Sequence, residues 1–310
     1  MPSGRTAKWR PKGGGLAPLL LLTALVSCAP SVPREALQTA NTAYDAVATA
    51  SEPLLRDLSA AERRNFLRAK AASDPSKMIR TEEGDIVVPA TFERKDAAYY
   101  ATAGDPILTD ATRQGLNTVG AYFKLLTILA EGNNIADAQA QITTIGKSVS
   151  GLVALANPAA AAPIGPVIDA LQIAVRQWAE AKNAEELRRL VLEGAPKVDA
   201  LLVGLQSASD SMYETLIAQP SADATGPLLK NKPARRAVIL QIRDENVAVA
   251  NFVQLLQSLR GALAALVDAV RNPGSQMALA SLSAKSNDLL VDAKAAMRVA
   301  EIIRSGGRSQ

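Results

Sequence analysis

Histidine is absent from this 310-residue chain, and cysteine occurs once, at Cys28. Without histidine the chain has neither the commonest general base nor the commonest metal ligand. A lone cysteine excludes any disulfide within the chain, so stability must come from a packed core. No phosphate loop, dinucleotide fingerprint or GxSxG elbow is present, and any enzyme would have to work with carboxylates, lysine or hydroxyls alone. The expectation is therefore a non-enzymatic protein with no cofactor and no metal. Aromatic residues are also scarce, at 4%. An interior made of Leu, Val, Ile and Ala favours close helix packing over a β-sandwich.

An excess of charge is missing as well. The balance of 34 basic against 30 acidic residues gives a formal +4, but residues 1–27 hold four of the basic residues (Arg5, Lys8, Arg10, Lys12) and no acidic one. The remainder balances at 30 against 30, so net charge gives no support for a nucleic-acid partner.

What is present begins with a leader. Its basic start is followed by an apolar run from Leu16 to Leu25 and then small residues, the three parts of a secretory signal. The run is too short to span a bilayer, which takes about 20 residues. Leu25, Val26, Ser27 and Cys28 follow it. This LVSC sequence resembles the lipobox of bacterial lipoproteins. The resemblance implies cleavage just before Cys28, a diacylglycerol on its thiol and an acylated (palmitate-type) new amino terminus. Ala29 occupies the position at which, in Gram-negative lipoproteins, an aspartate commonly favours retention in the inner membrane. Its presence points to lipid anchoring at the outer membrane of a Gram-negative bacterium, facing the periplasm. Several acyl chains, at about 0.8 kcal/mol per buried methylene, make such an anchor nearly permanent.

Beyond the leader, apolar residues recur at alternating spacings of three and four, the signature of helices with one buried face. A first helix reads from Leu37 through Tyr44, Val47, Leu54 and Leu58, with Pro53 expected to kink or restart it and Ser59 and Glu62 at capping-box spacing for a second restart. The next reads Asp110 to Glu131, stopped by Gly132, and another runs through Ile142, Ile145, Val149 and Leu152. A fourth runs from Ile168 to about Leu192, with Gly194 and Pro196 as punctuation, and a fifth from Val198 should end before Pro220. The longest, from about Ala234 to Arg271, spans roughly 55 Å at 1.5 Å per residue. Its face runs from Val249 to Val270 and extends back to Ile242 and Val238, with Glu245 in the seam. A last helix runs through Leu282, Leu289 and Ile303.

The spacing predicts an all-α fold: an elongated antiparallel, up-and-down bundle of about six helices with one irregular insertion. Its boundaries are a signal peptide at 1–27, a lipidated tether at 28–33, one bundle domain at 34–304 with the insertion at 74–108, and a tail at 305–310. Within the insertion only Ile86 to Val88 reads as strand, and Glu82, Glu83 and Asp85 flank Gly84 as a solvated acidic turn. It also concentrates Phe92, Tyr99 and Tyr100, residue types favoured at binding surfaces, although they equally suit a cap over the core. The stretch 148–168 carries no charge. It is similar in layout to the membrane-inserting hairpins of cytolysin-A-type helical toxins, although its prolines leave each arm shorter than a spanning helix.

Together these features predict a lipid-anchored helical bundle of the cell envelope, a scaffold or interaction module for another envelope protein, with Phe92, Tyr99 and Tyr100 on the partner surface. The alternatives are a membrane-perturbing protein acting through 148–168 and a carboxylate-based enzyme.

Overall fold

A computed structural model of the chain describes residues 32–73, 75, 78–80, 87–131, 135–155, 165–225 and 232–306. The fold is all-α, with eight long helices among the described residues. They are α1 (Arg34–Ser73), α3 (Ile107–Ala130), α4 (Ile135–Leu155), α5 (Gly165–Ala179), α6 (Ala184–Ser207), α7 (Ser209–Thr225), α8 (Lys232–Arg271) and α9 (Gln276–Gly306), with a single turn, α2 (Ala97–Tyr100), before α3. Two three-residue strands, β1 (Met78–Arg80) and β2 (Val87–Pro89), pair antiparallel with Ile79 opposite Val88. The expected strand is thus present, shifted by one residue.

The helices form two groups of four. In one, α3, α4, α5 and α6 pack each against the next, with α6 closing on α3. In the other, α1, α9, α8 and α7 do the same. Contacts of α1 with α3 and of α6 with α8 join the groups, and α6 runs into α7 across the one-residue break at Ala208. The two groups therefore share a continuous core in which Trp178, Tyr122, Phe123 and Phe252 are almost wholly buried.

Several predicted boundaries are corrected. α1 continues through Pro53 and past Ser59, α6 through Gly194 and Pro196, and α7 through Pro220. A proline inside a helix forfeits one hydrogen bond, a loss that packing on both sides of it outweighs in long, buried helices. One real interruption falls at Ala208, inside the fifth helix read from Val198, and another at 180–183, inside the stretch read as one helix from Ile168 to Leu192. There Asn183 accepts from the Glu186 amide at 2.9 Å while the Glu186 carboxylate accepts from the Lys182 amide at 2.9 Å. This reciprocal cap starts α6. Glu62, read as part of a local cap, serves another helix altogether.

Buried hydroxyl and indole donors fix how the helices face one another. Tyr44 Oη on α1 donates to the Leu116 carbonyl on α3 at 2.6 Å, and Tyr122 Oη on α3 donates to the Val191 carbonyl on α6 at 2.7 Å. Trp178 Nε1 on α5 donates to the Leu190 carbonyl on α6 at 2.9 Å. Burial pushes both tyrosine phenols well above their ordinary range, so they act as donors at any physiological pH. Each large ring needs room: Gly120 lies under Tyr44 and Gly194 under Trp178, where a Cβ would come within 2.3 Å of the ring. At the surface Arg260 grips Asp199 with two bonds of 2.7 and 2.8 Å, tying α8 to α6.

The long helix α8 matches its expected span, and by length and composition it is the one described helix apolar enough to cross a membrane. Its buried face, from Val249 to Val270, is spent on the core of the bundle. The backward extension of that seam is weaker than expected, since Val238, Ile242 and Glu245 are only half-buried.

Candidate functional site

The C-terminal half of α1 carries Glu62, Phe66 and Lys70 at spacings of four, which places them on one face of the helix. That face receives residues 87–109. Glu62, 9% exposed, accepts hydrogen bonds from the amides of Leu108 (3.0 Å) and Thr109 (2.8 Å) and from the Thr109 hydroxyl (2.6 Å). It thereby satisfies the first amide donors of α3, whose own N-cap residue, Pro106, has no side chain able to do so. Burial raises the Glu62 carboxyl above its ordinary range, and these hydrogen bonds oppose the rise.

One turn on, Phe66 stacks on Tyr99 with ring centroids 4.1 Å apart and planes 5° from parallel. It meets Tyr100 edge-on at 5.8 Å, and Phe92 lies against Tyr100 at 6.2 Å. A further turn on, the Lys70 ammonium binds Asp96 and Glu93 while lying 5.6 Å from the centre of the Phe66 ring. Its hydrogen bond to Asp96 raises the lysine above its ordinary range. Lys95 and then Lys70 lower Glu93 below the usual carboxylate range. Two further ties hold the far side of the segment: Arg63 donates to the Gly104 carbonyl at 2.6 Å, and Arg113 on α3 donates to Asp105 at 2.8 Å. Gly104 has φ of 105°, a backbone shape that favours glycine.

The structure thus brings the three expected surface residues, Phe92, Tyr99 and Tyr100, into one cluster and divides their roles. Tyr99 and Tyr100 are half-buried and bind the segment to Phe66, whereas Phe92 is 69% exposed. Burial raises both tyrosine phenols. On β1, Ile79 is 58% exposed. The sequence reading missed Phe66, Glu62 and Lys70 as the receiving face. Their i, i+4, i+8 spacing was visible, but nothing in it identified the segment they hold.

A second feature is a cleft of about 70 Å³ between α1, α8 and α9, lined by Leu54, Phe252 and Ile303 and edged by Asp57, Glu245 and Arg304. Arg304 pairs with Asp57 at 3.7 Å. Glu245 has no hydrogen-bond or ion-pair partner among the described residues, and burial, reinforced by the Asp57 and Asp244 carboxylates, pushes it up to about 7 against the pull of Arg64. Among the described residues no three acidic side chains come together as a metal site.

Other expected features fall elsewhere. Leu25, Val26, Ser27 and Cys28, and the acidic turn at Glu82, Glu83 and Asp85, lie outside the described residues. In the uncharged stretch 148–168, Val149, Leu152 and Ile168 are buried in the core, while 156–164 lies outside the described residues.

The fold defines an all-α bundle with an irregular platform braced on its longest N-terminal helix. No protein-family model matches the chain, and neither a curated protein nor a solved structure matches it significantly.

Proposed function

We propose that this protein is a lipid-anchored, non-enzymatic interaction module of the cell envelope. A lipid on Cys28 holds it to the outer membrane, and the 87–106 platform presents Phe92 to another envelope protein. The observation that carries the reading is the contrast within the aromatic cluster. Tyr99, Tyr100, Lys70 and Arg63 fix the segment at several points, with Glu62 holding Leu108 and Thr109 just beyond it, while Phe92 projects into solvent. A large apolar ring held out on a braced support pays little ordering entropy when a partner covers it, which is the property of interface anchors.

Crosslinking in intact cells with a photoreactive group at residue 92 tests the partner. A discrete adduct to one envelope protein, not formed when the same group stands instead at the exposed Val203 of α6, is the expected result. Absence of any adduct at residue 92, with adducts forming elsewhere on the bundle, refutes the assignment of the surface. Cys28→Ser tests the anchor: the protein should move from the detergent-released membrane fraction to the soluble fraction. Its retention in the membrane would refute the lipid.

A further inference from the structure

The start of α8 combines uncompensated charge with incompletely buried apolar side chains. From Lys232 to Arg243 the helix holds four cations, Lys232, Arg235, Arg236 and Arg243, and no carboxylate. Lys232, Arg236, Ile239 and Arg243 recur at spacings of four, three and four, so they form one stripe, and all four are exposed. Ile239, in the middle of the stripe, is 52% exposed. Arg243 pairs with its neighbour Asp244, whereas Lys232, Arg235 and Arg236 have no ion-pair partner among the described residues. Beside the stripe, Val238, Leu240 and Ile242 are half-buried, and the first fully buried residue of α8 is Val249.

The end of α1 adds to this charge. Leu54 and Asp57 of α1 share a cleft with Phe252 and Glu245 of α8, and Arg64 acts on Glu245. The two helices therefore run antiparallel, and the last turns of α1 lie at the same end of the bundle as the first turns of α8. Arg64 and Arg68 are exposed there and are likewise without an ion-pair partner among the described residues.

We infer that the first three turns of α8 dock on an anionic phospholipid surface. Cations spread along an exposed helix face, with apolar side chains half-open next to them, are the composition of helices that lie at a lipid headgroup boundary. A soluble polyanion would be met by the cations alone and gives Ile239 no role. Single-stranded nucleic acid is further disfavoured because no aromatic side chain occurs between Lys232 and Asn251 on which a base could stack. Each Lys or Arg near an anionic leaflet contributes about a fivefold gain in binding, screened by salt. The three unpaired cations of α8 together give about a hundredfold preference for anionic over neutral lipid. This surface does not depend on Cys28, which precedes the opposite end of α1.

Co-sedimentation of the full chain with vesicles of phosphatidylcholine, with and without phosphatidylglycerol, tests the inference. The four cations of residues 1–27 and any acyl chain are common to every variant, so the quantity read is the change in anionic-over-neutral preference from one variant to the next. The wild-type chain should show this preference at low salt and lose it at high salt. The triple variant Lys232→Gln/Arg235→Gln/Arg236→Gln should lose about a hundredfold of it, while Lys232→Arg/Arg235→Lys/Arg236→Lys should retain it. Ile239→Asn should weaken binding to the anionic vesicles several-fold at constant charge. Equal preference in the wild type and the glutamine triple overturns the inference. So does an unchanged Ile239→Asn accompanied by equally tight, salt-sensitive binding to polyglutamate, which would assign the stripe to a soluble polyanion. All of these positions are solvent-exposed, and circular dichroism checks that helix content is kept.

Discussion

Replacing Gly120 by alanine sets two energies of opposite sign against each other. In the interior of a helix the exchange gains about 1 kcal/mol of backbone propensity. At this position the new Cβ would stand 2.3 Å from Cε1 and Cζ of Tyr44 and 2.5 Å from its Oη, distances at which no carbon fits. Tyr44 is poorly placed to yield, because it is 6% exposed, its hydroxyl is tied to the Leu116 carbonyl, and its ring lies 5.7 Å from that of Phe123. Overpacking a core costs about 1 to 3 kcal/mol, and so close an approach belongs at or above the top of that range. The expected net loss is about 2 kcal/mol. Gly261→Ala on α8 is the control: its nearest neighbour, Lys285 Cδ, is an ordinary contact at 3.7 Å, so it should gain about 0.5 to 1 kcal/mol. Tyr44→Ala alone should cost about 3 to 5 kcal/mol. Once the ring is gone, Gly120→Ala should change sign and stabilise, giving a coupling of about 2 to 3 kcal/mol. Urea unfolding followed by circular dichroism measures the wild type and these four variants, provided the denaturant slopes agree. Gly120→Ala as stable as the wild type, or a coupling near zero, would refute the packing described here.

Glu62→Ala should destabilise by about 2 to 3 kcal/mol, because it leaves two amides and a hydroxyl at the start of α3 without their acceptor, and Glu62→Gln should cost less. A loss below about 0.5 kcal/mol in denaturant would mean that the cap is made otherwise. Gly194→Ala should move the Trp178 ring, whose Cζ2 would be 2.3 Å from the added carbon. Trp9 is the only other tryptophan, so in a Trp9→Phe background fluorescence reports Trp178 alone; an unshifted emission maximum with unchanged stability counts against the contact. Glu245 gives a pH dependence. Its carboxyl ionises near 4.5 when unfolded and is pushed up to about 7 when folded. The folded state therefore holds the extra proton between those values, and stability falls as pH rises from about 4.5 to 7, then levels off. Screening at this half-buried site reduces the loss to about 1 to 2 kcal/mol. The difference between wild type and Glu245→Gln across that window should show this slope, and a flat difference would contradict it.

How much of this was legible in the sequence depended on the range of the interaction concerned. The apolar repeat that placed α3, α4 and α8 is local, and it located them to within a few residues at most ends. Proline was over-read at residues 53, 196 and 220, because its cost is local while the packing that outweighs it is not. The missed break at 180–183 did have a local signal, the Asn183–Glu186 spacing, hidden inside an uninterrupted apolar pattern. For the candidate site, the aromatic concentration at 92–100 was visible. Its division into a half-buried pair and an exposed ring was not, since that rests on Phe66, at least 26 residues earlier in the chain. Glu245 reads in the sequence only as a residue in the seam of the longest helix; its half-buried place beside Asp57 depends on how α1 meets α8.

α1 is a member of one group of helices and also packs on α3 of the other. It runs for 40 residues, about 60 Å, beside α3 at one level and α7 at another, with α9 parallel to it along much of its length. A pull applied at Arg34 is therefore directed along the axis of this helix rather than across it. Withdrawing α1 would require many side-by-side contacts to slide and fail together, so the load is carried in shear, the direction in which a bundle of rods resists hardest, and a tug at that end reaches both groups at once.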